Sequence, residues 1–397
     1  MKEFIILMAL LMATVALSID GILPVLGLIS SDMHLQNAND IQYVVICLFM
    51  GLTFGQLLYG PISDSIGRKR VLFFGMGIFI IGCLISYFAT TFPILLLGRL
   101  VQGIGAGAPR ILTISIVRDK FEGRMMAKTM SLIMGVFILV PTIAPSIGQM
   151  VTQTFDWRAI FLFYIVIVAI SSLWAFIRLE ETLPINRRKK LNTKTLLAGL
   201  KETISNRRTL GYTITSGLVF SILLTYISTA QQIFQGLFDT GEDFPLYFGA
   251  LALAIGISFF TNSAIVQKFG MRRITISALS VFTVSASIFA LHTLLSVEPS
   301  LPIFMLFFAV ALFCLGLLFG NLNAMAMEPM GHIAGLASAF IGFTSTAVSI
   351  TISSILAHFY DSTLDGISIG FTVIGLCSLG LVFWTEGGAK NALRRED

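Results

Sequence analysis

The sequence predicts an all-α integral membrane protein of twelve transmembrane helices, and three observations carry that reading. Of 397 residues, 56% are apolar and 12% are charged, whereas a soluble domain carries about 25% charge. Mean hydropathy is +0.89, so the main solvent of the chain is lipid. Apolar runs of about 20 residues, each long enough to cross a hydrocarbon core of about 30 Å, recur along nearly the whole length. One long polar segment, Glu180 to Arg208, divides these runs into two sets of six. The expected organisation is an N-terminal six-helix half over 1–179, a cytoplasmic basic linker over 180–208 and a C-terminal six-helix half over 209–397.

Taken in order, the expected spans are 4–30, 41–63, 71–89, 93–117, 128–153 and 157–178, then 209–236, 244–266, 273–293, 302–327, 332–357 and 365–385. The first begins like a signal peptide. Its apolar stretch runs on past Asp20 to about Ile29 with no small-residue cleavage pattern, so an uncleaved span is expected. Of the 26 Lys and Arg, only Arg158 falls at an expected outer end, and only Arg99 and Arg110 fall well inside a span, away from its ends. The rest gather at the opposite ends and in the tails, which places both termini in the cytoplasm. The net charge of +5 therefore reports topology and attraction to membrane lipid, with no case for nucleic acid. Cys47, Cys83, Cys314 and Cys377 all lie in apolar runs and read as small buried hydrophobes. His34, His292, His332 and His358 are scattered, so no metal site is expected and no cofactor is implied.

Gly60 to Leu72, GPISDSIGRKRVL, separates spans two and three. It holds Asp64 and three consecutive cations, Arg68, Lys69 and Arg70, between Gly60 and Gly67. The glycines are expected to permit a tight turn and close helix approach. By itself this is a basic loop anchoring two helices at the cytoplasmic face. The register of glycines, acid and bases resembles the signature loop of the major facilitator superfamily. Val266 to Thr275 repeats it between spans eight and nine, where Gly270, Arg272 and Arg273 echo Gly67, Arg68 and Lys69 and no acid matches Asp64. The resemblance implies two parallel six-helix halves around a central cavity. It also implies that Gly60, Asp64, Gly67, Arg68 and Lys69 form a gating loop.

Asp20, in ALSIDGILP, lies deep in span one. A carboxylate at that depth costs at least a few kcal/mol unless it is neutralised, paired or wet, which makes it a natural proton acceptor. Its structural alternative is a polar residue serving helix packing. Pro24, four residues on, is expected to loosen the helix and free a carbonyl nearby. Arg99 lies at a comparable depth in span four, and Arg99-Leu-Val-Gln102-Gly103 resembles the facilitator fourth-span motif. That resemblance implies an arginine near the first-span acid and a part for both in proton transfer. The alternative is an arginine bonded to backbone carbonyls. Arg110 either snorkels inwards or lines the inner mouth of the cavity.

Span five carries Gly135, Pro141, Pro145 and Gly148 in GVFILVPTIAPSIG. The spacing partly resembles the antiporter motif of the drug:proton antiporters, with Ala144 and Gln149 where glycines are usual. Its physical content is a kinked helix with a close-packing face. Asp156-Trp157-Arg158, opening span six, also resembles that group. Gln102, Arg110, Tyr226, Gln231, Asn262 and Asn323 are candidates for a substrate cavity, since membrane amides want partners that helices or a substrate supply. Across the chain the resemblance is to twelve-span drug:proton antiporters, and Arg99 to Phe121, ending VRDKF, points to the bicyclomycin-resistance type. It implies a monomeric, proton-coupled exporter of small amphipathic molecules in a bacterial inner membrane. The rival readings are an importer or facilitator of the same fold and, far less well supported, a membrane enzyme or receptor.

Overall fold

The computed structural model describes residues 2–121, 123–188, 200–295 and 300–388. Every regular element among them is helical. The chain divides into two compact units, Met1–Thr193 and Lys194–Asp397. Lys189, Lys190 and Lys194 of the basic linker, and Glu122 after span four, lie outside the described residues.

In the first unit, span one is broken: a helix Lys2–Asp20 ends at the acid, a 3-10 turn covers Leu23–Val25, and a short helix Leu26–Asp32 resumes. Spans two to six are Tyr43–Ile66, Arg68–Tyr87, Phe92–Lys120, Gly123–Thr154 and Ala159–Arg178. In the second unit, spans seven to twelve are Arg207–Gln231, Phe244–Phe269, Met271–Leu295, Leu301–Met327, Ala334–His358 and Asp365–Thr385. A π-helical turn, Gln232–Leu237, extends span seven. Among the described residues, eleven of these helices are long and apolar enough to cross a membrane. The other long helix is Gly123–Thr154, with 32 residues and two internal prolines.

Local chemistry explains the ends. Proline stands in the first turn of spans four, eight and ten, where its missing N–H leaves no bond unmade. The Asn206 side chain accepts from the N–H groups of Arg208 and Thr209 and starts span seven.

The expected basic loop between spans two and three is a single residue. Span two runs helically through Gly60, Pro61 and Asp64 to Ile66, Gly67 turns the chain at φ 108°, and Arg68 opens span three. Gly270 does the same between spans eight and nine at φ 77°, and both need glycine because that φ is costly for a side chain. Arg68, Lys69 and Arg70 therefore form a first helical turn, not a loop. Gly60 has nothing within 4 Å of where a Cβ would stand, so it provides no close helix approach here.

Close helix approaches lie instead at glycines such as those of span four. A Cβ on Gly103 would stand 2.0 Å from the Leu48 carbonyl oxygen of span two, and one on Gly105 would stand 2.2 Å from the Phe79 nitrogen of span three. Span four is thus clamped by backbone contact on two faces, the packing that small residues allow in lipid. The two units repeat one packing scheme. Spans one with five, two with four, three with four and three with six pack in the first, and seven with eleven, eight with ten, nine with ten and nine with twelve in the second.

Candidate functional site: the break in span one

Asp20 is the last residue of its helix and is 4% exposed. It forms no ion pair among the described residues. Pro24 has no N–H to return to the Asp20 carbonyl, so the helix stops there and the chain tightens into the 3-10 turn. The break is packed tightly. A Cβ on Gly148 of span five would stand 1.8 Å from the Gly21 carbonyl oxygen. One on Gly21 would stand 2.9 Å from the Tyr164 hydroxyl of span six. Span five stays helical through Pro141 and Pro145, so its contribution is the close face at Gly148. Gly135 is on the same helix.

Arg99 is wholly buried. It donates Nη2 to the Ser18 carbonyl (3.0 Å), Nε to the Val44 carbonyl (3.0 Å) and Nη1 to Gln102 Oε1 (2.7 Å). A helix that ends at Asp20 leaves its last carbonyls without donors from the next turn, and Arg99 supplies one for Ser18. The guanidinium thus ties span four to spans one and two next to the acid, not to its carboxylate. Gln102 accepts from Arg99 and donates Nε2 to the Cys83 sulfur at 3.2 Å, so both ends of its amide serve the tether.

A second cluster sits where spans two and three meet. Arg68 pairs with Asp64 and with Asp119 at the end of span four, where Nε to Oδ2 is 2.9 Å, and Nη1 donates to Ser63 Oγ. The Arg68 side chain is 4% exposed and that of Asp119 15%, so their charge-assisted bond is shielded, while Asp64 is 41% exposed. Glu181, three residues past span six, accepts from the backbone N–H of Arg68 (2.9 Å) and of Lys69 (3.2 Å). A carboxylate there meets the positive end of the span-three dipole. Lys69 reaches the Phe176 carbonyl at 2.9 Å. In the second unit, Glu386 just past span twelve receives the Tyr212 hydroxyl and pairs with Arg272 at 3.3 Å and Arg208 at 3.9 Å. Sequence reading missed Glu181 and Glu386. The available signal was an acid placed alike after the last span of each half.

At the other end of the bundle, Asp32 accepts from Trp157 Nε1 at 3.2 Å and pairs with Arg158 at 3.0 Å. The Asp-Trp-Arg segment therefore fastens the end of span one to span six.

The residues expected to line a cavity are scattered. Arg110 is half-buried with no ion pair among the described residues. Tyr226 is buried and stacked on Phe248, with ring centres 5.3 Å apart. Gln231 donates to Gln235, Asn262 and Asn321 exchange amide bonds, and Asn323 donates to the Phe319 carbonyl of its own helix. A groove of about 880 Å³ lies between spans eight, nine and ten, lined by Ile257, Phe269, Arg273, Val281 and Phe313 among others, and none of these candidates borders it. Among the described residues no group of His, Cys, Asp and Glu could hold a metal.

Comparison with known proteins matches this arrangement to one family. The profile described as Major Facilitator Superfamily matches residues 8–354. The chain is 29% identical over 389 residues to "Multidrug resistance protein MdtL" of Citrobacter koseri, covering 94% of each chain. It is 27% identical over 352 residues to "Uncharacterized MFS-type transporter YdgK" of Bacillus subtilis, covering 85% of this chain and 87% of that one. Among solved structures, "Crystal structure of D-xylose-proton symporter" superposes with a TM-score of 0.77 at 13% identity, covering 96% of this chain and 97% of that one. At that identity the likeness shows the fold alone. A helical chain with two units packed on one scheme, matched to this profile over most of its length, is a multi-pass membrane transporter and not an enzyme, and it belongs to the Major Facilitator Superfamily.

Proposed function

We propose that this transporter exports small amphipathic molecules in exchange for protons, by alternating access, with Asp20 as the proton carrier. The single observation that carries this is Asp20 itself: a buried carboxylate with no ion pair among the described residues, at a helix break packed on span five. The relatives titled multidrug resistance protein support the substrate class, and the motif match supports the bicyclomycin-resistance type of twelve-span drug:proton antiporter. The membrane is a bacterial inner membrane, with both termini and the Arg68 cluster on the cytoplasmic side. Inward drive is about 2.3 kcal/mol per proton per 100 mV, before any pH gradient. One proton then sustains more than about a tenfold gradient of a neutral solute, which costs about 1.4 kcal/mol.

The test uses everted vesicles with an acid interior and ethidium as probe. Exchange predicts uptake that collapses with the pH gradient and is lost in Asp20→Asn. Gradient-driven accumulation in right-side-out vesicles instead would show an importer.

The Arg68 cluster is read as a gate latch. Arg68→Ala removes the shared partner of Asp64 and Asp119 far along the helices from Asp20, and Glu181→Gln weakens the cap on span three. Both are expected to lower turnover several-fold while changing the ethidium dissociation constant less than about twofold, because they shift populations and not contacts. A weakened binding constant at unchanged turnover contradicts this reading.

A further inference from the structure

We infer that Tyr164 is a positioning residue for the proton step: its hydroxyl donates to the Asp20 carboxylate, directly or through one water, once that acid has lost its proton. The inference rests on the reading of Asp20 as proton carrier. Four observations converge on it. Tyr164 is 2% exposed, and its hydroxyl makes no hydrogen bond among the described residues. A buried polar group left unpaired costs about 1–3 kcal/mol, so a hydroxyl kept there calls for a use. That oxygen faces the break in span one, 2.9 Å from where a Gly21 side chain would begin. The ring is held in place by Phe161 and Phe163, each with its centre 6.2 Å away.

The fourth observation concerns the competing donor. Arg99 spends Nε, Nη1 and Nη2 on three separate acceptors. Those three bonds fix the guanidinium in place, and none of them goes to the Asp20 carboxylate. The negative end of the helix dipole falls at Asp20, so an ionised carboxylate there needs a donor, and Tyr164 has one unspent. Gly21 matters for the same reason, since a side chain at that position would crowd the hydroxyl at 2.9 Å.

The charged and titratable groups around the hydroxyl are few. Span one offers Asp20, span three Cys83 and span four Arg99. Cys47 of span two lies near Arg99. Span five meets the break at Ala144 and Gly148, neither of which is titratable. In the step itself, the Asp20 O–H bond breaks and its proton passes to water on the open side. The electron pair stays on the carboxylate, and Tyr164 keeps its own proton and offers only a hydrogen bond.

Tyr164→Phe removes one oxygen and keeps the ring. Were the hydroxyl only an unpaired structural group, the variant would be as stable as wild type or more so, with an unchanged pH profile. The inference expects a folded protein whose pH for half-maximal ethidium exchange moves alkaline by about one unit, equivalent to about a tenfold loss on the acid side of the profile. It also expects the carboxylate stretch that Asp20→Asn removes from infrared difference spectra to shift in Tyr164→Phe. Profiles that superimpose, together with an unshifted carboxylate band, overturn the inference. The two readings fail separately. If Asp20→Asn exchanges like wild type, the proton-carrier reading is lost, whereas an inactive Asp20→Asn beside a wild-type Tyr164→Phe removes only the role of Tyr164. If Tyr164→Phe does not fold, 3-fluorotyrosine at position 164 keeps the shape and strengthens the donor, and an acid-ward move of the same profile is expected, with no move counting against the inference.

Discussion

Arg99→Ala is expected to abolish exchange and to lower thermal stability, with a cost of about 1–3 kcal/mol for a buried acceptor left unsatisfied. The guanidinium is fully buried and bridges three acceptors on spans one, two and four. Its loss leaves the Ser18 carbonyl, in the last turn before Asp20, without that donor, and the helix end that presents the acid is released. Arg99→Lys is expected to rescue folding more than transport. An ammonium is a compact point charge and cannot span both carbonyls and the Gln102 amide at once. Thermal unfolding of the purified variants and vesicle exchange, read together, check this. A cycle with Asp20→Asn then asks whether the effects couple, as they should if Arg99 acts by placing Asp20. Wild-type melting and exchange in Arg99→Ala would show that the tether does not hold the site.

Gly148→Ala is expected to have the next largest effect, although it adds one methyl group. That carbon would stand 1.8 Å from the Gly21 carbonyl oxygen and 2.8 Å from its carbon. Both are backbone, so no side chain can move aside. Spans one and five must separate at the residue next to Asp20, and overpacking of this kind costs about 1–3 kcal/mol. Exchange is expected to fall at least about tenfold, since the acid moves with its helix end. Gly77→Ala is the matched control, because nothing lies within 4 Å of the added carbon. Alanine is the better helix former by about 1 kcal/mol, so that variant should be as stable as wild type. Equal behaviour of the two variants would dismiss the packing argument.

Much of the architecture was legible because lipid imposes it. Any stretch crossing the hydrocarbon must satisfy its backbone internally, so long apolar runs have one structural solution. The expected ends of span twelve, 365 and 385, are those observed. The basic segment after Gly67 was misread because three adjacent cations look like a loop, while in space they are a first turn capped by Glu181 from beyond span six. No local pattern links residues 68 and 181. Pro24 did signal the break after Asp20, since a missing N–H has a local consequence. Arg99 shows the limit more clearly. Its depth in span four matched that of Asp20, but whether a guanidinium meets a carboxylate or a backbone carbonyl depends on where neighbouring helices end. Tyr164 gave no signal at all: a tyrosine in FLFYIVIV reads as packing until Gly21 is seen opposite its hydroxyl.

The central claim is that Asp20 gives up a proton when substrate is taken. The most direct measurement adds ethidium to purified protein in weakly buffered solution and follows the pH with an indicator dye. Wild type is expected to release protons as ethidium binds, Asp20→Asn to bind ethidium and release none, and Arg68→Ala to release as wild type does. Undiminished release from Asp20→Asn would contradict the account and move the coupling site elsewhere in the chain.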